Sequence, residues 1–170
     1  MADVATRTAP VPAEAATFAG VTITLGVPLE RRSLRARDVG VLSRLLGRKV
    51  PGKIGLYQDE VLCLGPDEWL LRALAGTKVP LGEGQPLSVV DISERALTLV
   101  LEGPRAQDVL QAGCPRDLGK LPVGEGRRTV FEGVEIVLMR TGEDRYEVDV
   151  WRSFAEWLHL ALTTGASHLR

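Results

Sequence analysis

A strand that runs through a Gly-Pro corner straight into a helix constrains this chain more than any other feature. Residues 89–118 read VVDISERALTLVLEGPRAQDVLQAGCPRDL. Residues 96–101 are strand-like, and residues 104–112 carry the helical stripe Ala106, Val109, Leu110 and Ala112. Gly103 stands where an N-cap would, and Pro104 suits the first helical position because its missing N–H has no partner there anyway. Gly113 is expected as a left-handed stop, and Cys114-Pro115 forbids continuation. A strand feeding directly into a helix must have that helix fold back on the strand, and the rest of the chain supplies more units of the same kind.

Those strands are legible. Val21–Leu25 alternates, and Leu29–Ala36 is a second strand with arginines on what reads as its open face. Asp38 caps a helix over Val39–Leu46 that Gly47 ends. Short strands at 53–57 and 61–64 flank the turn Gln58-Asp59-Glu60, and Glu68–Leu74 follows Gly65-Pro66-Asp67. Residues 75–86 form an irregular, Gly- and Pro-rich connector. Strands at 127–131, 134–140 and 145–150 are separated by Glu132-Gly133 and Gly142-Glu143-Asp144. In a last amphipathic helix Ser153 and Glu156 match a capping box, Phe154, Trp157, Leu158, Ala161 and Leu162 line one side, and Gly165 is the stop.

The motif G-x-D-x-aromatic-x-apolar occurs at Gly65–Leu71 and again at Gly142–Val148, each time after strand, helix, strand and strand. The fold class this supports is α+β, with two pseudo-repeated halves of antiparallel strands and short helices. The halves are expected at 19–86 and 87–165 in one compact unit, with a flexible N-terminal tail over 1–18 and a C-terminal tail over 166–170.

A net charge of −1 argues against a general nucleic-acid or anionic-membrane binder. Of the 21 basic residues 17 are Arg, which a GC-rich bacterial genome explains first and which also suits carboxylate pairing in polar interfaces. No apolar run approaches the roughly 18 residues that span a bilayer. Cys63 and Cys114 are too few and too far apart for a metal or redox motif, and read as reduced thiols of a cytoplasmic protein.

The catalytic inventory is thin. His159 and His168 have no evident acid or metal partner. Asp91 and Ser93 read as a turn that satisfies its own backbone, and Arg95 as the partner of a carboxylate. Gly82-Glu83-Gly84 and Gly124-Glu125-Gly126 lack the strand-to-helix setting of a phosphate loop and carry a repelling carboxylate. Trp69 and Trp157 read as core residues; Trp151, at a strand-to-helix junction, is less fixed. No catalytic, cofactor or metal residue is expected. Trp151, Arg152, Arg105 and Arg95 are the candidate partner contacts.

LGPDEWLL (64–71), the 89–118 stretch and RTGEDRYEVDVWRSFAEWL (140–158) resemble the gamma subunits of heterotetrameric sarcosine oxidase, in the right order from about residue 20 to residue 162. The family is related in fold to the folate-binding domain of the glycine-cleavage aminomethyltransferase. The resemblance implies a small non-catalytic subunit of a flavin enzyme that oxidises sarcosine to glycine. Oxygen becomes hydrogen peroxide, and the methyl carbon leaves as formaldehyde or 5,10-methylenetetrahydrofolate. It places FAD, FMN, NAD, tetrahydrofolate and zinc in the alpha, beta and delta partners, and packs this chain mainly against alpha. An alternative is an assembly subunit of a related N-methyl amino acid or imino acid oxidase. Another is a free-standing folate-binding protein, for which Asp91 or Glu135 would hold the pterin. Two departures stand out. The hairpin at 131–136 lacks the aminomethyltransferase Asp, and the 75–86 connector is short for the helix found between the halves.

Overall fold

The computed structural model describes residues 10–169. Its strands are β1 (Ala16–Phe18), β2 (Val21–Leu25), β3 (Leu29–Ala36), β4 (Tyr57–Gln58), β5 (Val61–Cys63), β6 (Glu68–Leu74), β7 (Leu87–Asp91), β8 (Ala96–Glu102), β9 (Glu125–Phe131), β10 (Val134–Gly142) and β11 (Arg145–Trp151). Its helices are α1 (Val39–Leu46), α2 (Ala106–Gln111) and α3 (Ala155–Ser167). All strand pairings are antiparallel, in two sheets ordered β1-β2-β8-β11-β10-β9 and β4-β5-β6-β3-β7.

The repeat is a strand-helix-strand-strand-strand unit, β3-α1-β4-β5-β6 and then β8-α2-β9-β10-β11. Sheet membership does not follow the division at residues 86 and 87. The strand leading each unit crosses over: β2, just before β3, pairs with β8, and β7, just before β8, pairs with β3. Each unit therefore completes the other's sheet.

Strand alternation sorts the side chains into layers. On one sheet Ile23, Leu99, Leu101, Tyr146, Val148 and Val150 face outward into a core capped by α2 and α3. On the other, Leu34, Ala36, Trp69, Leu71 and Ala73 face a second core under α1, which Leu42 enters. Between the sheets lies a small apolar cluster, Leu62, Leu70 and Met139. One edge of each sheet is stitched to the other, at β4 and the start of β9: Tyr57 N–H donates to Gly124 O (2.8 Å) and Gly126 N–H to Gly55 O (2.8 Å).

α1 forms as its caps predict, with Asp38 accepting from Gly40 N–H and Gly47 left-handed at φ 62°. Glu132 and Gly133 both take positive φ, as a two-residue hairpin turn requires.

Several expectations are corrected. Gly103 is no N-cap. Its φ is 129°, α2 begins only at Ala106, and a Cβ there would lie 2.4 Å from Gly20 O. Gly113 is not left-handed; it is small because the Phe131 ring rests against it, 2.5 Å from where a Cβ would be. Residues 53–55 turn instead of extending, and Leu56 makes only an isolated bridge to Glu125. The capping box does not form, because Ser153 is taken into a 3-10 turn at Arg152–Phe154 and α3 starts from Phe154 without a side-chain cap. α3 continues through Gly165 to Ser167, so 166–170 is not simply a tail. Residues 10–18 are not a tail either: Val11 is buried in the core and Ala16–Phe18 pairs with β2. The remainder of the expected tail, residues 1–9, lies outside the described residues. Trp69 is buried and donates Nε1–H to Pro51 O (2.7 Å), whereas Trp157 is exposed on α3.

Candidate functional site

The arginines of β3 do not share an open face. Leu34 and Ala36 point into the α1 core, so the alternate positions, Arg31 among them, turn toward the other sheet. Arg31 is buried and stands directly opposite Arg72 of β6, and on the facing sheet Asp149 stands opposite Thr98. These four residues meet. Asp149 accepts from Arg72 Nε (2.8 Å) and Nη2 (3.0 Å), more weakly from Arg31 Nε and Nη2 (3.4 Å each), and from Thr98 Oγ1 (2.6 Å). Arg31 Nη2 also donates to Thr98 Oγ1 (2.6 Å). Arg72 reaches Glu147 through Nη1 (2.9 Å), so two guanidiniums are balanced by two carboxylates.

Burial works to raise the Asp149 carboxyl, but the charges of Arg72 and Arg31 and the bonds from Arg72 and Thr98 outweigh it and carry it below the ordinary aspartate value. Burial likewise works against the Arg72 charge, and Asp149 outweighs it. The cluster holds its protons fixed and has no spare acceptor, so it is a locked polar core, not an acid–base pair. Sequence reading missed all four residues, because Arg72 shares its strand face with Glu68 and Asp149 shares its own with Arg145 and Glu147, so both faces read as solvated.

Beside this cluster a cavity of about 190 Å³ opens between the sheets. Leu64, Leu70, Ile92 and Val137 contribute apolar wall, and Arg31 and Asp149 lie at its inner side. Glu68 and Arg128 pair across the sheets at 2.7 Å, with Glu135 3.9 Å from Arg128. The hydrogen bond from Arg128 lowers the Glu68 carboxyl. Trp151 and Arg95 complete the lining, the Arg95 guanidinium lying 4.9 Å from the centre of the Trp151 ring.

Three of the four sequence-predicted partner contacts thus cluster. Arg152 adjoins Trp151 in the chain and pairs with Glu94 (3.7 Å), while Arg95 stacks on the indole and makes no carboxylate contact among the described residues. Arg105 lies elsewhere. β8 starts opposite Trp151 and ends at Glu102, on the order of 20 Å away, and Arg105 bonds to Asp108 (2.6 Å) and Gly20 O (2.9 Å) beyond that end.

The two carboxylates proposed for a pterin also separate. Glu135 borders the cavity, but Asp91 is exposed on β7, accepting from Ser93 N–H (2.9 Å) and Oγ (2.7 Å) and pairing with Arg32 (2.7 Å). The expected Asp91–Ser93 turn is present. Glu125 forms no phosphate loop; it is buried, with Lys53 (2.6 Å) and Arg127 (2.7 Å) on its oxygens. His159 is half-buried, which lowers its pKa, and His168 lies against Thr164 O. Both cysteines are buried and free. Among the described residues no three metal-ligating side chains come together, and no helix is long and apolar enough to cross a membrane.

The model of the sarcosine oxidase gamma subunit family matches residues 43–168. This chain belongs to that family. The gamma subunit of an Arthrobacter sarcosine oxidase is 36% identical over 142 residues, covering 74% of this chain and 70% of that one. The gamma subunit from Corynebacterium strain U-96 is 38% identical over 155 residues, covering 74% and 75%. As a gamma subunit the chain is a component of an oxidoreductase complex. Among solved structures, a chain of the heterotetrameric sarcosine oxidase from Corynebacterium U-96 superposes with a TM-score of 0.82 at 29% identity, over 93% of this chain and 91% of that one. The glycine cleavage aminomethyltransferase T of Bartonella henselae superposes with a TM-score of 0.67 at 20% identity, over 86% of this chain and 46% of that one. That second likeness is one of fold, and the α+β class and paired sheets agree with it.

Proposed function

We propose that this chain is the small structural subunit of a heterotetrameric, flavin-dependent sarcosine oxidase in the cytoplasm. That enzyme turns sarcosine, oxygen and water into glycine, formaldehyde and hydrogen peroxide, or yields 5,10-methylenetetrahydrofolate when tetrahydrofolate takes the carbon. In this reading FAD, FMN, NAD, tetrahydrofolate and zinc reside in the alpha, beta and delta partners. This chain packs mainly against alpha, through Trp151, Arg152 and Arg95 together with the separate Arg105.

The observation that carries the reading is how the interior is used. At the centre of the fold, where a free-standing enzyme would need an available acid or base, Asp149 is saturated by Arg72, Arg31 and Thr98. The cavity between the sheets, about 190 Å³, is below the roughly 300 Å³ at which small-molecule sites begin. Of the cluster, the two larger clefts around Gly26 and Val27, about 400 and 350 Å³, reach only the same saturated Arg72, Arg31 and Thr98. What remains unpartnered is on the surface: Trp151, Phe154, Trp157 and Leu160 are between 38% and 64% exposed. Exposed aromatics are characteristic anchors of protein interfaces. The free-standing folate reading fits less well, since Asp91 is spent outside the cavity and the carboxylates that do line it are taken by arginines, Glu68 and Glu135 by Arg128 and Asp149 by Arg72 and Arg31.

The test is the isolated chain. Purified alone and dialysed, it is expected to be colourless, to form no peroxide from sarcosine and to give no heat with tetrahydrofolate. Retained yellow colour, turnover or folate binding overturns the proposal.

A further inference from the structure

We infer that the cavity beneath Trp151 and Arg95 is a socket for one aromatic side chain of the large partner subunit, which carries a carboxylate nearby to meet Arg95. This rests on the subunit reading above and names the chemistry of one contact within it.

Size comes first. About 190 Å³ holds some six waters at about 30 Å³ each, or the side chain of a single aromatic residue. The lining comes next. Leu64, Leu70, Ile92 and Val137 are hydrocarbon, and the polar atoms of Asp149 and Arg31 at the inner side are already bonded to each other and to Thr98. Among the described residues the one buried side-chain polar atom without a partner is Arg32 Nε, on the outward face of β3. Apart from the Ser33 hydroxyl and, at the mouth, Arg95 and the Trp151 indole, the polar groups that line the cavity are thus paired within the fold, and its inner wall favours apolar contact.

Charge then chooses the occupant's neighbour. On one rim Arg128 is neutralised by Glu68 and Glu135. On the other, Arg152 is met by Glu94, while Arg95 stands exposed over the indole with no carboxylate in reach among the described residues. The Trp151 ring, 46% exposed, holds that guanidinium in place, so a partner carboxylate finds it already oriented. An apolar pocket walled by a tryptophan and edged by an oriented arginine has the composition of an interface hot spot.

The test uses the complex co-expressed from this chain, tagged, and the other oxidase subunits. Arg95→Glu and Trp151→Ala should each cut recovery of the partners at least about tenfold, with Arg95→Lys losing less, while the isolated variants melt within a few degrees of wild type. A benzoylphenylalanine photo-crosslinker at position 151 keeps aromatic bulk at the mouth and reads the occupant directly. The expected adduct is a peptide of the largest subunit with an aromatic residue and an Asp or Glu within a few positions. Undiminished assembly of both variants, or adducts to peptides lacking that pair, overturns the socket and leaves the subunit reading standing. If the wild-type chain recovers no oxidase subunit at all, the subunit reading fails and the socket falls with it. If the two variants unfold, the crosslinked peptide decides.

Discussion

Arg72 and Asp149 occupy corresponding positions in the two repeats, 77 residues apart, and bind each other at 2.8 and 3.0 Å. The repeat thus meets itself at its centre, with opposite charges where the two sheets face. Beside them Arg31 and Thr98, the corresponding residues of β3 and β8, complete the contact. Removal of Asp149 leaves Arg31 without a carboxylate away from water, whereas removal of either arginine leaves Asp149 the other.

Asp149→Ala is therefore expected to cost about 3–5 kcal/mol, since buried Arg31 loses its counter-charge and buried Arg72 is left with Glu147 alone. Urea denaturation measures it. The triple substitution Arg31→Met, Arg72→Met, Asp149→Leu should recover most of that loss, because an apolar replacement removes the desolvation cost along with the attraction. A triple variant less stable than Asp149→Ala would show that the cluster contributes net stability.

The acid limb of stability should reflect the depressed carboxyls. Asp149, Glu68 and Glu125 all titrate lower in the folded chain than their ordinary values. A carboxyl depressed by folding adds stability that is complete above the unfolded value, about 4, and is lost as pH falls through the folded one. Unfolding free energy should decline gently below about pH 6.5, where half-buried His159 is harder to protonate in the fold than in the unfolded chain, and drop steeply below about 4. Glu68→Gln should make that drop shallower; an unchanged slope would contradict the role given to its pairing with Arg128.

The two tryptophans of opposite fate give a direct contrast. Trp69→Ala removes a buried ring and orphans Pro51 O, at a cost of about 3–5 kcal/mol. Trp157→Ala, on the exposed face of α3, should stay within about 0.5 kcal/mol in the isolated chain. Denaturation midpoints of the two variants are sufficient to compare them.

Gly103→Ala should destabilise by at least about 1–3 kcal/mol, because φ is 129° and the new Cβ would press on the backbone of Gly20. Gly133→Ala, at φ 88° but with nothing within 4 Å of the new Cβ, should cost less. Thermal melts of both separate the steric effect from the conformational one.

What was legible in the sequence was local. Leu29–Ala36, Val39–Leu46 with its Asp38 and Gly47 caps, and the repeated G-x-D-x-aromatic motif all rest on short-range period and capping. The exchange of β2 and β7 between sheets was not legible, because pairing partners some 50 to 80 residues apart leave no mark on either strand's own pattern. Arg31 escaped because a charged residue in a strand is ordinarily read as facing water, and only the other sheet supplies its carboxylate. Gly113 shows the same limit: its smallness answers the Phe131 ring, brought by a strand far along the chain.

The central claim is that this chain works only as part of an oxidase. The most direct measurement is to co-express it with its candidate partner subunits, tag this chain alone, and record mass, absorbance and peroxide production of what is recovered. The account predicts a larger assembly with flavin absorbance that makes peroxide from sarcosine. A lone, colourless chain recovered beside well-expressed partners would contradict it.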